Sequence, residues 1–236
     1  GESVGIMEND ILEILESMPI NLKDRDILWR KELDSFTLSE LKGIYAGLER
    51  ISDLITDKLE GNLFPLSLNK LAELFNFKIY VQNMPERDSI QGINDNVVSI
   101  LMMFKENIRK IVVDVNAKDN DEITRVSIAF CIAQYVLDIM DEEEGQYFSV
   151  CSFEDFQRSA PNCFNVYQTK EPLIKNIAYV LALNILMPKV ALNEINEDVK
   201  SSQLSYDKKI TLLSDFFGVR NYDVEKRFEY LDYILQ

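Results

Sequence analysis

Apolar residues recur at steps of three and four through Leu41, Ile44, Leu48, Ile51, Ile55 and Leu59, which lays one apolar stripe along a helix. Thr37 and Glu40 are spaced as a capping box at its start and Gly61 is placed to end it. On this pattern residues 8 to 60 read as helices. Pro65 opens a new segment in which Leu68, Leu71, Ala72, Leu74 and Phe75 keep helical spacing, and Phe77 to Val81 then switches to strand character. The runs Val97 to Phe104 and Ile108 to Val115 flank a turn-like Lys105-Glu106-Asn107, which predicts a β-hairpin in a small, mostly antiparallel sheet.

Asp119, Asp121 and Glu122 place acidic groups where a helix N-terminus favours them. The helix they introduce, Ile123 to Met140, is apolar on most of its circumference and must lie in the centre of the domain. From Asp141 to Gln168 the pattern is irregular, with the acidic run Glu142 to Glu144 read as a solvated loop and a brief helix over Phe153 to Arg158. Ile174 to Met187 is a second strongly apolar helix, stopped by Pro188. The tail predicts a helix near Asp207 to Phe217, a break at Gly218, and a helix over Asn221 to Ile234 with Val224, Phe228 and Leu231 on one face. Helices, then a short run of strands, then helices again give an α+β fold.

With 236 residues, 47% of them apolar, the chain is long enough for a sizeable core. Its 25 basic and 40 acidic residues give a net charge of −15, which repels phosphate backbones and anionic lipid and argues against nucleic acid or membrane as partner. The longest apolar stretch, Ile177 to Met187, is too short to span a bilayer, and no signal-peptide pattern opens the chain. A cytoplasmic location follows as the expectation. Cys131, Cys151 and Cys163 form no C-x-x-C pair, which favours reduced thiols over a disulfide framework.

The order of elements, with a hairpin ending in Ile-Val-Val-Asp, a buried helix, and a second buried helix closing in Leu-Met-Pro, resembles the ImmA/IrrE-like zinc metallopeptidases over residues 65 to 195. In that family the first buried helix carries His-Glu-x-x-His; here the matching stretch is Phe130-Cys131-Ile132-Ala133-Gln134, and the chain contains no histidine. Two histidines four apart share a helix face and hold one zinc ion, a neighbouring carboxylate completes the set, and the glutamate takes a proton from metal-bound water. Phe130 has no lone pair, Gln134 is a neutral amide, Cys131 stands in place of the general base, and Lys175 puts a cation where a carboxylate would bind one. The resemblance therefore implies no metal and no cofactor here. It implies a zincin-like domain over residues 63–198, with small sheet and central helices, between a helical N-terminal segment (1–62) and a helical C-terminal extension (199–236).

As a nucleophile Cys131 would need a base or a nearby cation, which Lys175 would supply if the two helices face each other; an inert buried cysteine is the simpler reading. On the tail helix Asp223, Glu225, Glu229 and Asp232 outnumber Lys226 and Arg227, a surface that opposes DNA contact. The expectation is a catalytically inactive, peptidase-like protein that binds another protein, of the repressor or toxin-like kind that the resemblance implies. Its groove would lie against a sheet edge along Val97, Ser99, Leu101 and Met103 and use strand addition. Two alternatives stand beside it. One is a small-molecule or peptide sensor whose ligand occupies the vacated cavity near Phe130, Gln134 and Lys175; the other is an acidic decoy for a DNA-binding protein.

Overall fold

The computed structural model of the chain describes residues 2–22, 36–59, 63–83, 97–104, 108–115, 121–139, 147–152, 163–165 and 172–235. In chain order these form α1 (Glu2–Ser17), α2 (Leu38–Asp57), α3 (Leu68–Leu74), β1 (Lys78–Gln82), β2 (Val97–Phe104), β3 (Ile108–Asp114) and α4 (Asp121–Gln134). A π-helical turn (Tyr135–Ile139), β4 (Tyr147–Ser152), β5 (Cys163–Asn165), α5 (Pro172–Leu186), α6 (Lys189–Lys200), α7 (Tyr206–Phe217) and α8 (Asn221–Leu235) follow. The fold is α+β.

Burial dictates the layering. Every residue from Val126 to Gln134 on α4, and every residue from Ile177 to Leu186 on α5, is buried. Helices without a polar face have to be covered on all sides. The sheet packs on one side of α4 through β2 and β3, α5 packs on the other, α2 covers α5, and α8 rests on both α2 and α5. Met7 and Ile44, Phe130 and Leu181, Phe217 and Val224 belong to one apolar cluster, so the N- and C-terminal helices complete the same core as the central segment.

The strand order is β1-β3-β2-β4-β5, with β1 parallel to β3 and the other pairings antiparallel. Ser99 lies opposite Val113 and Leu101 opposite Ile111, and all four are buried. Residues paired across strands share a face, so this is the face that covers α4. Lys110 and Tyr80 lie on the opposite face, where the ammonium stands 5.3 Å from the ring centroid.

Local signals end the helices where backbone chemistry requires it. Thr37 accepts from the Glu40 amide while the Glu40 side chain accepts from the Thr37 amide, the predicted capping box. Asn76 takes a left-handed φ of 63° between α3 and β1, and the amides of Asn76 and Phe77 donate to Glu73 and Ala72, a Schellman closure. Gly218 does the same after α7 at φ 67°, with the Val219 amide donating to the Ser214 carbonyl.

Several expectations are corrected. The stretch Asp141 to Gln168 is not irregular throughout, since it contains β4 and β5. Tyr147, Phe148 and Val150 carry strand propensity, but three-residue β5 is too short to show a period. Pro188 stops α5 and then stands as the N-cap of α6, an unpredicted helix, because a residue without an amide hydrogen is at home where that hydrogen has no helical partner. The central helix loses α-geometry at Gln134 and continues as the π-helical turn instead of reaching Met140 as one α-helix. Gly61, the Lys105-Glu106-Asn107 turn, Asp119, the run Glu142 to Glu144 and Phe153 to Arg158 lie outside the described residues. No single helix among the described residues is long and apolar enough to cross a membrane, and the apolar part of α5 meets α6 at a bend of 64°.

Gly218→Ala is expected to cost about 1–2 kcal/mol or more in urea unfolding, because an L side chain is strained at positive φ. The added Cβ would also stand 2.6 Å from Arg125 Nε and 3.0 Å from Pro65 Cβ. An unchanged unfolding midpoint would show that this turn does not need glycine.

Candidate functional site

Ser127, Phe130, Cys131 and Gln134 recur at helical spacing on α4 and have no exposed surface. Ser99 on β2 reaches the same place from the sheet. Its hydroxyl is hydrogen-bonded to that of Ser127 and lies 3.5 Å from Cys131 Sγ. The structure thus brings Phe130, Cys131 and Gln134 onto one buried helix facing α5, the helix that carries Lys175. The side chains of Lys175 and Val97 lie outside the described residues.

The electrostatics of the thiol follow from its surroundings. Burial pushes the Cys131 thiol from 9.0 up to about 12, against the smaller opposing pull of the hydrogen bond with Ser99. At neutral pH the sulfur is protonated and out of reach of solvent, which removes both the charge and the access a nucleophile needs. Phe130 occupies interior volume with its ring, and no ligand reaches it or Gln134 unless α4 is first uncovered. Among the described residues, no three His, Cys, Asp or Glu side chains are grouped to hold a metal ion.

The predicted groove along β2 is corrected by the topology. β2 lies between β3 and β4 and is paired to both, so its backbone donors and acceptors are already engaged. Ser99 and Leu101 are buried, and Met103 is half-buried. A strand with neighbours on both sides cannot accept a third. Among the described residues the sheet ends at β1 on one side and at β5 on the other. On β1 the carbonyl of Gln82 accepts from the Val115 amide, which turns Gln82 and Tyr80 toward β3. By alternation Ile79 and Val81 turn their backbone groups to the outer edge, and Val81 is 51% exposed.

A concavity of about 570 Å³, open to solvent, lies between α1 and α2. Ile14 and Leu54 form its apolar lining and Asp10, Glu13 and Asp53 its acidic lining, beside Arg50. Burial, and then the neighbouring charges of Glu49 and Asp57, raise the Asp53 carboxyl above its usual range. None of the sequence-predicted site residues lines this groove.

The most connected polar groups were missed by sequence reasoning. Arg227 on α8 is fully buried; its Nε donates to the Met187 carbonyl at 3.0 Å and its Nη1 to Asn184 Oδ1 at 2.8 Å. The same guanidinium forks onto the Glu49 carboxylate, with Nη2 donating to Oε2 at 3.1 Å and Nη1 to Oε1. Four residues earlier, buried Asp223 accepts from the Tyr179 hydroxyl at 2.5 Å and from Arg220 Nε and Nη2 at 2.9 and 2.8 Å. The reading of Asp223 and Arg227 as surface charges on the tail helix is therefore wrong: both point inward. The available signal was Arg227 at the position where the stripe through Val224 and Leu231 calls for an apolar residue. A further arginine, Arg109 on β3, donates to the Phe75 carbonyl and the Tyr135 hydroxyl, both at 2.9 Å, and stacks over the Tyr135 ring at 5.1 Å.

No protein-family model matches the chain, and no curated protein matches it.

Folding raises the Cys131 thiol above its unfolded value, so the native state holds a proton that the unfolded state releases first. Stability from this group is complete below about pH 9 and is lost as pH rises toward about 12. Burial shifts Tyr179 and Tyr230 in the same direction. Urea midpoints should fall across that alkaline window, and iodoacetamide should label Cys131 at neutral pH far more slowly in the folded than in the urea-unfolded chain, as mapped by mass spectrometry. Equal labelling rates would show that the thiol is accessible.

Proposed function

We propose that the chain is a non-catalytic protein-binding or regulatory module, a pseudo-peptidase relative of the ImmA/IrrE-like proteins with a degenerate zincin-like domain. Its partner is a protein of the kind intact relatives act on, a repressor or a toxin-like protein. The observation that carries this reading is the sealing of the positions matching the family's metal ligands and base: Phe130, Cys131 and Gln134 have no exposed surface. The arrangement also supports the kinship, since α4 packs between the sheet and the helix that ends in Leu-Met-Pro. Water activation needs a solvent-facing cation or base, and this region offers an aromatic ring, a protonated thiol and an amide.

Binding uses the outer edge of β1 in place of the interior strand first considered. An extended segment of the partner adds beside Lys78–Gln82, taking its main-chain hydrogen bonds from Ile79 and Val81. Proline at position 81 removes an outward amide and leaves the ladder to β3 intact.

Two measurements test this. Incubated with zinc and labelled casein, the purified protein should release no more fragments than buffer does, and a co-purified partner seen with the wild type should be lost with Val81→Pro. Zinc-dependent cleavage, or a partner retained in full by the proline variant, would overturn the reading. Restoring the family's base by Cys131→Glu should lower stability by about 3 kcal/mol or more, because it buries an unpaired carboxylate. A variant of wild-type stability would mean that α4 still borders an open polar cavity.

A further inference from the structure

The four buried residues of α8 are Asp223, Val224, Arg227 and Leu231. Two of them are ionisable, whereas the faces that bury α4 and α5 are almost wholly apolar. The ring contacts between α2 and α8 do not by themselves fix the position of α8 along its axis. Tyr45 of α2 packs against Tyr230 at a centroid distance of 5.4 Å and equally against Tyr233 at 5.3 Å. Rings that serve two positions of one helix do not distinguish a slide by one turn.

The polar contacts do distinguish it. A slide by one turn moves a helix about 5.4 Å along its axis, and a slip by one residue moves it about 1.5 Å and turns it about 100°. Either movement would carry Arg227 away from the Glu49 carboxylate, Asn184 Oδ1 and the Met187 carbonyl together. The planar guanidinium satisfies these acceptors in one geometry only. Asp223, on the same side of α8, meets Tyr179 of α5 and so fixes the helix at a second point. A buried ion pair is often no more stabilising than a well-packed apolar pair of similar volume, and its best-attested use is to specify register.

We infer that the Glu49–Arg227 pair, with Tyr179–Asp223, is a lock that sets the rotation and translation of α8 against α2 and α5, and that it serves uniqueness of docking more than stability. The 236-residue chain carrying both Glu49→Leu and Arg227→Met tests this, beside Glu49→Gln and Arg227→Met alone, with Tyr179→Phe as a milder variant. The double variant should unfold at a urea midpoint at or above those of the two single variants. In native-state hydrogen exchange, its amides from 221 to 235 should exchange at least tenfold faster than in the wild type, or show doubled resonances, while those of α4 and α5 keep their protection. Tyr179→Phe should give a smaller change confined to the same helix. Wild-type protection of α8 in the double variant would overturn the inference. So would an equal loss across α4 and α5, or failure of the double variant to fold, since each would make the pair a general stabiliser.

Discussion

The architecture rests on two helices that have no side to show to water. Residues Val126 to Gln134 and Ile177 to Leu186 are buried in unbroken runs, and each large apolar side chain so buried contributes roughly 1.5–3 kcal/mol relative to exposure. The only way to bury α4 and α5 together is to lay them side by side and close the remaining directions with a sheet and further helices. That requirement accounts for the one-sided sheet and for the participation of both chain ends in a single core. It also removes water from the stretch Phe130 to Gln134, whose side chains are spent on packing.

The outer helices solve a different problem. α8 lies where apolar surface is already abundant, and its docking is written in directional bonds from Arg227 and Asp223 rather than in shape alone. Each bond is worth little net, because water is given up to make it. Leaving any partner unmatched inside the protein would be costly, and this asymmetry lets a few polar atoms select one arrangement among several of similar packing quality.

Much of the fold was legible because periodicity and caps are local. The stripe from Leu41 to Ile55, the reciprocal Thr37 and Glu40 bonds, the switch after Phe75 and the glycine at 218 each concern residues within a few positions of one another. β5 and α6 escaped detection because three residues show no period and because proline marks a helix start as readily as a stop. The site was harder to read. Phe130, Cys131 and Gln134 were singled out only through a family resemblance, and burial of the whole stripe and the interior place of β2 depend on which strands pair, which no local pattern states. Glu49 and Arg227 stand 178 positions apart in sequence, and only an arginine at an apolar beat of α8 hinted at their meeting.

The interior makes an uneven claim on the cations of this acidic chain. Among the described residues, Arg109, Arg125, Arg220 and Arg227 commit guanidinium hydrogens to internal acceptors: the Phe75 and Leu66 carbonyls, the Asp223 carboxylate and the Glu49 carboxylate. Arg50, beside the α1–α2 groove, remains exposed. The described exterior is therefore poorer in planar, fork-shaped donors than the composition suggests, and its positive charge is carried mostly by lysine ammonium groups. A visiting carboxylate or phosphate would meet mobile point charges there, with little geometry to tell one anion from another.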